Sequence, residues 1–209
     1  MDYNIGFKPF LDKVYPYINS PKVIFDIGAR ECNESICFAE AFPEAKIFSF
    51  EPNPNQKDAC EINSSRYPQI TFSPIALSDK NGEMDFYIAN GNVGASSLLK
   101  PHFIPWASDQ SVSVKKVKVE TLDSFCNKNN VYPDVIWMDV QGNELNTLKG
   151  GANALSSVKA IYTEAGVKPY YDGHTLKPDI VKFLSELGFR LIDEKLDWEM
   201  EANLIFVRK

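Results

Sequence analysis

Short apolar runs alternate with helix-patterned segments along most of this chain, and no other feature constrains its fold as strongly. VIFDIG is followed by ESICFAEAFP, KIFSFEP by NQKDACEINSSRYP, DVIWMDV by GNELNTLKGGANAL, and KAIYTEAG by LKPDIVKFLSELG. These apolar runs are too continuous for a sheet with one wet face. Such strands, separated by helices, build a parallel sheet covered on both sides. ITFSPIALS reads as the third strand, which makes DVIWMDV the fourth and KAIYTEAG the fifth. The tail, FRLIDEKLDWEMEANLIFVRK, holds two more apolar strands around a polar turn, and they can pair only as a terminal hairpin.

Two regions depart from this rhythm. Phe7, Phe10, Leu11, Val14, Tyr15 and Ile18 recur at helical spacing, so residues 1–21 read as an amphipathic helix docked on the main body. Residues 79–120 open on an Asn81-Gly82 turn, continue as strand, lose all periodicity, and return as strand in VSVKKVKVE. This stretch reads as a β-rich insertion with a long loop between strands three and four, and long loops in compact domains are often functional. No linker divides the 209 residues, which suit a single domain.

Composition narrows the function. A net charge of -6 disfavours non-specific nucleic-acid binding, which needs cations to neutralise phosphates. The cluster Lys115, Lys116 and Lys118 alternates with valines and reads as the solvated face of a strand. No apolar run reaches membrane-spanning length, and the first residues lack the pattern of a secretory signal. The four cysteines form no CxxC pair and only two histidines are present, so a structural zinc site is not expected. Free thiols suit a reducing, cytoplasmic setting. Nothing in the residues fixes an oligomeric state.

The loop after the first strand, FDIGARECNES, resembles a nucleotide-binding turn that stops after one glycine. Ligands of such sheets bind at the carboxyl ends of the strands, where Asp26, Gly28 and Ala29 sit. A pyrophosphate needs further glycines, but Arg30, Cys32 and Asn33 stand in their place. S-adenosylmethionine carries a sulfonium, an ammonium, a carboxylate and a ribose but no phosphate, and so suits an acid beside a single glycine. Glu51, in FSFEPN, is positioned to accept ribose hydroxyls, although an acid there would also suit NAD. Asn53 either assists near the adenosine or caps the next helix. Ala76 and Leu77, after the third strand, lie where an adenine is expected, with Ser78 and Asp79 as turn residues.

The densest polar signal is WMDVQGNELNTLKGG. Asp139 closes the fourth strand, and Gln141, Gly142 and Glu144 open the next helix. Glu164, in YTEAG, adds a third acid at the same sheet edge. Three carboxylates there could hold a divalent cation, but spacing does not fix coordination and no metal is assigned.

FDIGA, FPEAKIFSFEPNP, ALSDKNG, GASSL, VETLDSF, MDVQGNELNTLKGG, and YTE with the later LGF follow one another in the order of the FkbM family of S-adenosylmethionine-dependent methyltransferases. The chain resembles that family over residues 23–189. The resemblance implies an α/β, Rossmann-like class I methyltransferase fold, with a mostly parallel seven-stranded sheet and a C-terminal antiparallel hairpin. It implies methylation of a hydroxyl on a sugar, glycan or related natural product. It assigns Asp26, Gly28, Glu51, Asn53 and Ala76 to the cofactor, Asp139, Gln141, Gly142 and Glu144 to the reaction centre, and Ser96-Ser97 to the family's serine pair. Arg30, Cys32 and Gln141 depart from its commoner asparagine, small residue and glutamate; Arg30 is suited to meet the cofactor carboxylate.

Methyl transfer requires a positioned hydroxyl and a base for its proton. Asp139 is the first candidate base and His174, in KPYYDGHTLKP, the second. Ser96, Ser97, Glu144 and Glu164 are candidate substrate contacts, and Tyr170, Tyr171 and Trp106 candidate sugar-stacking surfaces, while His102 reads as a surface residue. The rival readings are an NAD-dependent oxidoreductase of the same sheet class and a catalytically silent S-adenosylmethionine-binding module.

Overall fold

A computed structural model describes residues 7–18, 20–105, 107–197 and 200–209. Trp106 and the first six residues of the expected N-terminal helix lie outside them. The elements alternate as the apolar runs require. After α1 (Phe7–Val14) come β1 (Val23–Ile27), α2 (Asn33–Ala41), β2 (Lys46–Phe50), α3 (Lys57–Ser64) and β3 (Ile70–Ser73). β4 (Ala76–Leu77) comes just before the insertion, which contributes β5 (Gly82–Ala89) and β6 (Val112–Glu120) and leads into α4 (Leu122–Asn129). β7 (Val135–Met138), α5 (Glu144–Lys149), β8 (Ala160–Gly166), α6 (Lys177–Glu186), β9 (Phe189–Asp197) and β10 (Glu201–Arg208) complete the chain.

The main sheet has seven strands in the order β3-β2-β1-β7-β8-β10-β9. β1, β2, β3, β7 and β8 run parallel, and β10 is antiparallel to both β8 and β9. Strand order reverses between β1 and β7, so a crevice opens where their carboxyl ends part.

Side chains two apart on a strand share a face, and here both faces are apolar. Phe25 and Ile27 join Phe50, Phe125, Leu148 and Leu184 in the core under α4, α5 and α6. Ile24 joins Phe10, Phe38, Ile47 and Trp137 in a second core under α1 and α2. Burying a large apolar side chain contributes roughly 1.5–3 kcal/mol, so these two layers supply most of what holds the sheet.

ITFSPIALS is two strands rather than the single strand expected. Pro74 has no amide to give to a ladder, and β3 ends one residue before it. Ala76 and Leu77 pair instead with Val119 and Glu120 of β6, in a separate small sheet ordered β4-β6-β5. Phe86, Ile88, Leu98, Val117 and Val119 form its core. The Gly150-Gly151 pair ends α5 for reasons of space, because a Cβ on Gly150 would lie 2.1 Å from the carbonyl oxygen of Ser78. Thr147 of α5 donates its hydroxyl to Leu77 O of β4 at 2.8 Å and ties the small sheet to that helix.

Candidate active site

The loop after β1 is built to bring β1 and β7 close together. Gly28 has φ +85°, and a Cβ there would lie 1.7 Å from the carbonyl oxygen of Asp139, so no larger residue fits. The Gly28 and Ala29 amides both donate to Phe50 O, at 2.9 and 3.0 Å. Arg30 and Cys32 then adopt left-handed φ of 49° and 61°, which costs non-glycine residues roughly 1–2 kcal/mol each. Neighbours offset that cost. Arg30 N donates to Glu51 Oε2 at 2.9 Å, Cys60 Sγ donates to Arg30 O at 2.7 Å, and Asn63 Nδ2 donates to Glu31 O at 2.8 Å.

Glu51 is thereby fixed at both oxygens, because Oε1 accepts the Asn53 amide at 2.7 Å. Its carboxyl is only 8% exposed, yet it lines a cavity of about 300 Å³ at the strand ends. Burial pushes it up to about 7; the two amides and the Arg30 charge pull the other way. Asn53 lines the same cavity, while its Oδ1 accepts the Asn55 amide at 3.0 Å and shapes the turn before α3.

Ile75, Ala76, Leu77, Phe86 and Leu98 line the apolar part of the cavity. Arg30, Glu34, Asp139 and Gln141 line its charged part, and Ser96 and Gly94 of the insertion border it. Trp137 and Tyr162, neighbours across β7 and β8, also line it with their rings stacked at 3.6 Å.

Asp139 sits inside a polar relay. Gln141 Nε2 donates to Asp139 Oδ1 and to Glu164 Oε2, both at 2.7 Å. Tyr171 donates its hydroxyl to Gln141 Oε1 at 2.8 Å, and the Ser97 hydroxyl donates to Gln141 O at 2.7 Å. Burial raises both acids. Asp139, hydrogen-bonded to Glu164 and close to the Arg30 charge, is eased downwards, whereas Glu164 is driven well up by burial and then by Asp139.

Several expected site residues lie behind the cavity rather than in it. Asp26 is inside β1, not at its end, on the face that α2 covers. It accepts the Ser35 hydroxyl at 2.5 Å, and its Oδ1 is buried without a hydrogen-bond partner. Glu144 folds back to accept the Val140 and Gly142 amides at 3.2 and 3.1 Å, and so braces the turn between β7 and α5. Ser97 is 1% exposed and clasps that same turn. Tyr171 is 2% exposed and offers no stacking face. His174 packs against Gly142 and Gly166, outside the cavity lining, and burial lowers it to about 4. Its Nδ1 accepts the Tyr170 amide at 3.2 Å, so the lone pair a base would use is taken. His102, at the surface, pairs with Asp172 at 2.9 Å. Among the described residues no group of three or more His, Cys, Asp or Glu side chains could hold a metal ion.

Glu34, Trp137 and Tyr162 are among the cavity residues that pattern reading missed. Glu34 had a legible signal, since it is an acid in the first turn of the helix that follows the loop. Trp137 precedes Asp139 by two residues and so shares its face of β7.

The buried acids make ligand-free stability depend on pH. Asp26 and Glu144 are pushed up to about 8 and Glu51 to about 7, in each case first by burial. The folded chain thus holds protons that an unfolded chain, with carboxylates near about 4, has released. Stability from these groups is complete below the unfolded values and is lost as pH rises through the folded ones. Tm should fall between about pH 5 and about pH 8 in thermal melts. A Tm that climbs across that window would contradict the burial of these acids.

The family model described as a methyltransferase FkbM domain matches residues 26–191, from Asp26 in β1 to the first strand of the terminal hairpin. The chain belongs to the FkbM methyltransferase family. Two curated relatives agree. The 2-O-methyltransferase NoeI of Sinorhizobium fredii is 31% identical over 160 residues, 72% of this chain and 66% of that protein. The hexuronic acid methyltransferase AglP of Haloferax volcanii is 32% identical over 174 residues, 78% of this chain and 62% of that protein. This FkbM chain thus spans less than two thirds of the length of either. Among solved structures, a precorrin-6y C5,15-methyltransferase from Geobacter metallireducens superposes with TM-score 0.54 at 16% identity, over 97% of this chain and 86% of that one. The FkbM chain therefore has a Rossmann-like methyltransferase fold with an added small sheet. No helix among its described residues is long and apolar enough to cross a membrane.

Proposed function

We propose that this chain binds S-adenosylmethionine in the cavity and methylates a hydroxyl of a sugar or related acceptor, with Asp139 as the base. One observation carries the reading: Glu51 and Asp139 line a single cavity that Gly28 closes from below.

The residues present fit the cofactor. Backbone amides anchor Glu51 and leave its remaining lone pairs for a ribose diol. Ile75 and Leu77 offer an apolar wall to an adenine. Glu34, Glu51 and Asp139 outnumber Arg30 in the lining and favour a cationic ligand, while Arg30 suits its carboxylate. A dinucleotide fits poorly. The loop amides that would face a pyrophosphate are engaged within the protein: Gly28 and Ala29 donate to Phe50, Cys32 donates to Ala29, and Arg30 donates to the Glu51 carboxylate. A fixed carboxylate there repels phosphate.

When bound, S-adenosylmethionine supplies a methyl group activated by its sulfonium. The work left to the chain is to hold the acceptor hydroxyl near Asp139 and take its proton. Asp139 lines the cavity with Gln141, whose amide donates to Asp139 Oδ1 at 2.7 Å and favours the carboxylate form that takes that proton. General-base catalysis of this kind contributes roughly 10²–10⁴-fold. The name of AglP, a hexuronic acid methyltransferase, supports a sugar as acceptor, and that of NoeI, a 2-O-methyltransferase, supports transfer to oxygen.

The test is transfer of radiolabelled methyl from S-adenosylmethionine to a panel of neutral and uronic sugars and to a glycan extract of the source organism. Label is expected in an alkali-stable methyl ether. Cofactor product binding without any transfer would instead favour the silent module.

A further inference from the structure

Gln141 stands where a donor to one carboxylate would have sufficed, yet its amide nitrogen lies 2.7 Å from two. Both carboxylates accept, so they draw the nitrogen to their side and turn the amide oxygen away. That oxygen meets the Tyr171 hydroxyl at 2.8 Å, which arrives on the loop after β8. The same hydroxyl is 3.2 Å from Ala95 O in the insertion, so Tyr171 joins three parts of the fold at one atom. Its ring packs edge-to-face on His174, with centroids 5.3 Å apart, which fixes the direction of the hydroxyl.

We propose that Asp139 and Glu164 share one proton and that Tyr171 is a positioning residue for the base: by holding the Gln141 amide as donor to both acids it eases that proton away, so that Asp139 meets the acceptor hydroxyl as a carboxylate. The inference rests on the reading of Asp139 as base and adds how its charge state is set. Asp139, one residue past the end of β7, follows Met138, which pairs in register with Thr163, the neighbour of Glu164 on β8. Two carboxylates this close cannot both ionise freely, and they titrate as a pair. The groups facing the pair are Arg30 from the first loop, Glu34 from α2, Glu51 after β2, Glu144 from α5, Tyr171 itself, and Glu201 from β10. Arg30 is the cation in that set, so donors such as Gln141 decide how readily the second proton leaves.

The test uses ligand-free protein and needs no acceptor. A buried protonated carboxyl gives its own infrared carbonyl band, and the difference between native protein and Glu164→Gln isolates the pair from the other buried acids. The band is expected in native protein at neutral pH, lost in Glu164→Gln, and titrating with one midpoint. In Tyr171→Phe that midpoint should move upwards by about one pH unit, the size of one weakened hydrogen bond to a charge. Ser97→Ala is the control: it releases the same turn through the Gln141 carbonyl but leaves the side chain alone, so its midpoint should stay native. Should Tyr171→Phe not fold, Gln141→Met fills similar space without the amide, and the same upward shift is expected.

No band specific to Glu164 at neutral pH would overturn the shared proton. An unmoved midpoint in Tyr171→Phe, or an equal shift in Ser97→Ala, would overturn the positioning role. Either result leaves methyl transfer standing, because that reading is tested separately, by binding of the adenosyl ligand and by transfer of the labelled methyl.

Discussion

Glu51→Ala should weaken S-adenosylhomocysteine binding at least about 100-fold while leaving the fold intact. The carboxylate accepts two backbone amides and faces the cavity. Hydrogen bonds from ribose hydroxyls to a charged acceptor contribute roughly 1.5–3 kcal/mol each, and the loss of two exceeds the 2.7 kcal/mol or so that corresponds to a hundredfold. Water can reach the freed amides through the cavity, so Tm should change little. Glu51→Gln keeps one acceptor and should fall between. Native affinity should also strengthen as pH rises through about 7, where Glu51 ionises, and this dependence should vanish in Glu51→Gln. Calorimetric titration reads all three. Native affinity in Glu51→Ala would mean that the ribose lies elsewhere.

Asp139→Asn should lower the rate of methyl transfer by roughly 10²–10⁴-fold and alter S-adenosylhomocysteine affinity less than about tenfold. Asparagine keeps the shape, and its Oδ1 can still accept from Gln141 Nε2, but it cannot take a proton. Single-turnover rates under saturating cofactor separate this from a binding defect. A rate near native would assign the base to another group. His174 is a poor substitute, with Nδ1 engaged by the Tyr170 amide and the ring outside the cavity.

Hydrophobic patterning carried the fold, because both faces of the main sheet are covered and the strands had to be apolar throughout. Val23–Ile27 and Val135–Met138 could hardly be anything but central strands. The break in ITFSPIALS was legible only at Pro74, and the sequence does not say which sheet the residues after it will join. The site was half legible. Glu51, Asp139 and Gln141 face the cavity because they lie just beyond strand ends. Asp26 lies within a strand, so its direction followed the strand's alternation and led under α2. Glu144, Ser97, Tyr171 and His174 serve the turn that carries Asp139, and nothing in their spacing separates a residue that touches a ligand from one that holds its neighbour.

Calorimetric titration of native protein, first with S-adenosylhomocysteine and then with NAD, asks most directly whether the crevice at the β1–β7 switch holds an adenosyl group without phosphates. One-to-one binding of the thioether at micromolar concentration, with no heat from the dinucleotide, is the expected result. Tight NAD binding, or silence towards S-adenosylhomocysteine at millimolar concentration, would contradict it.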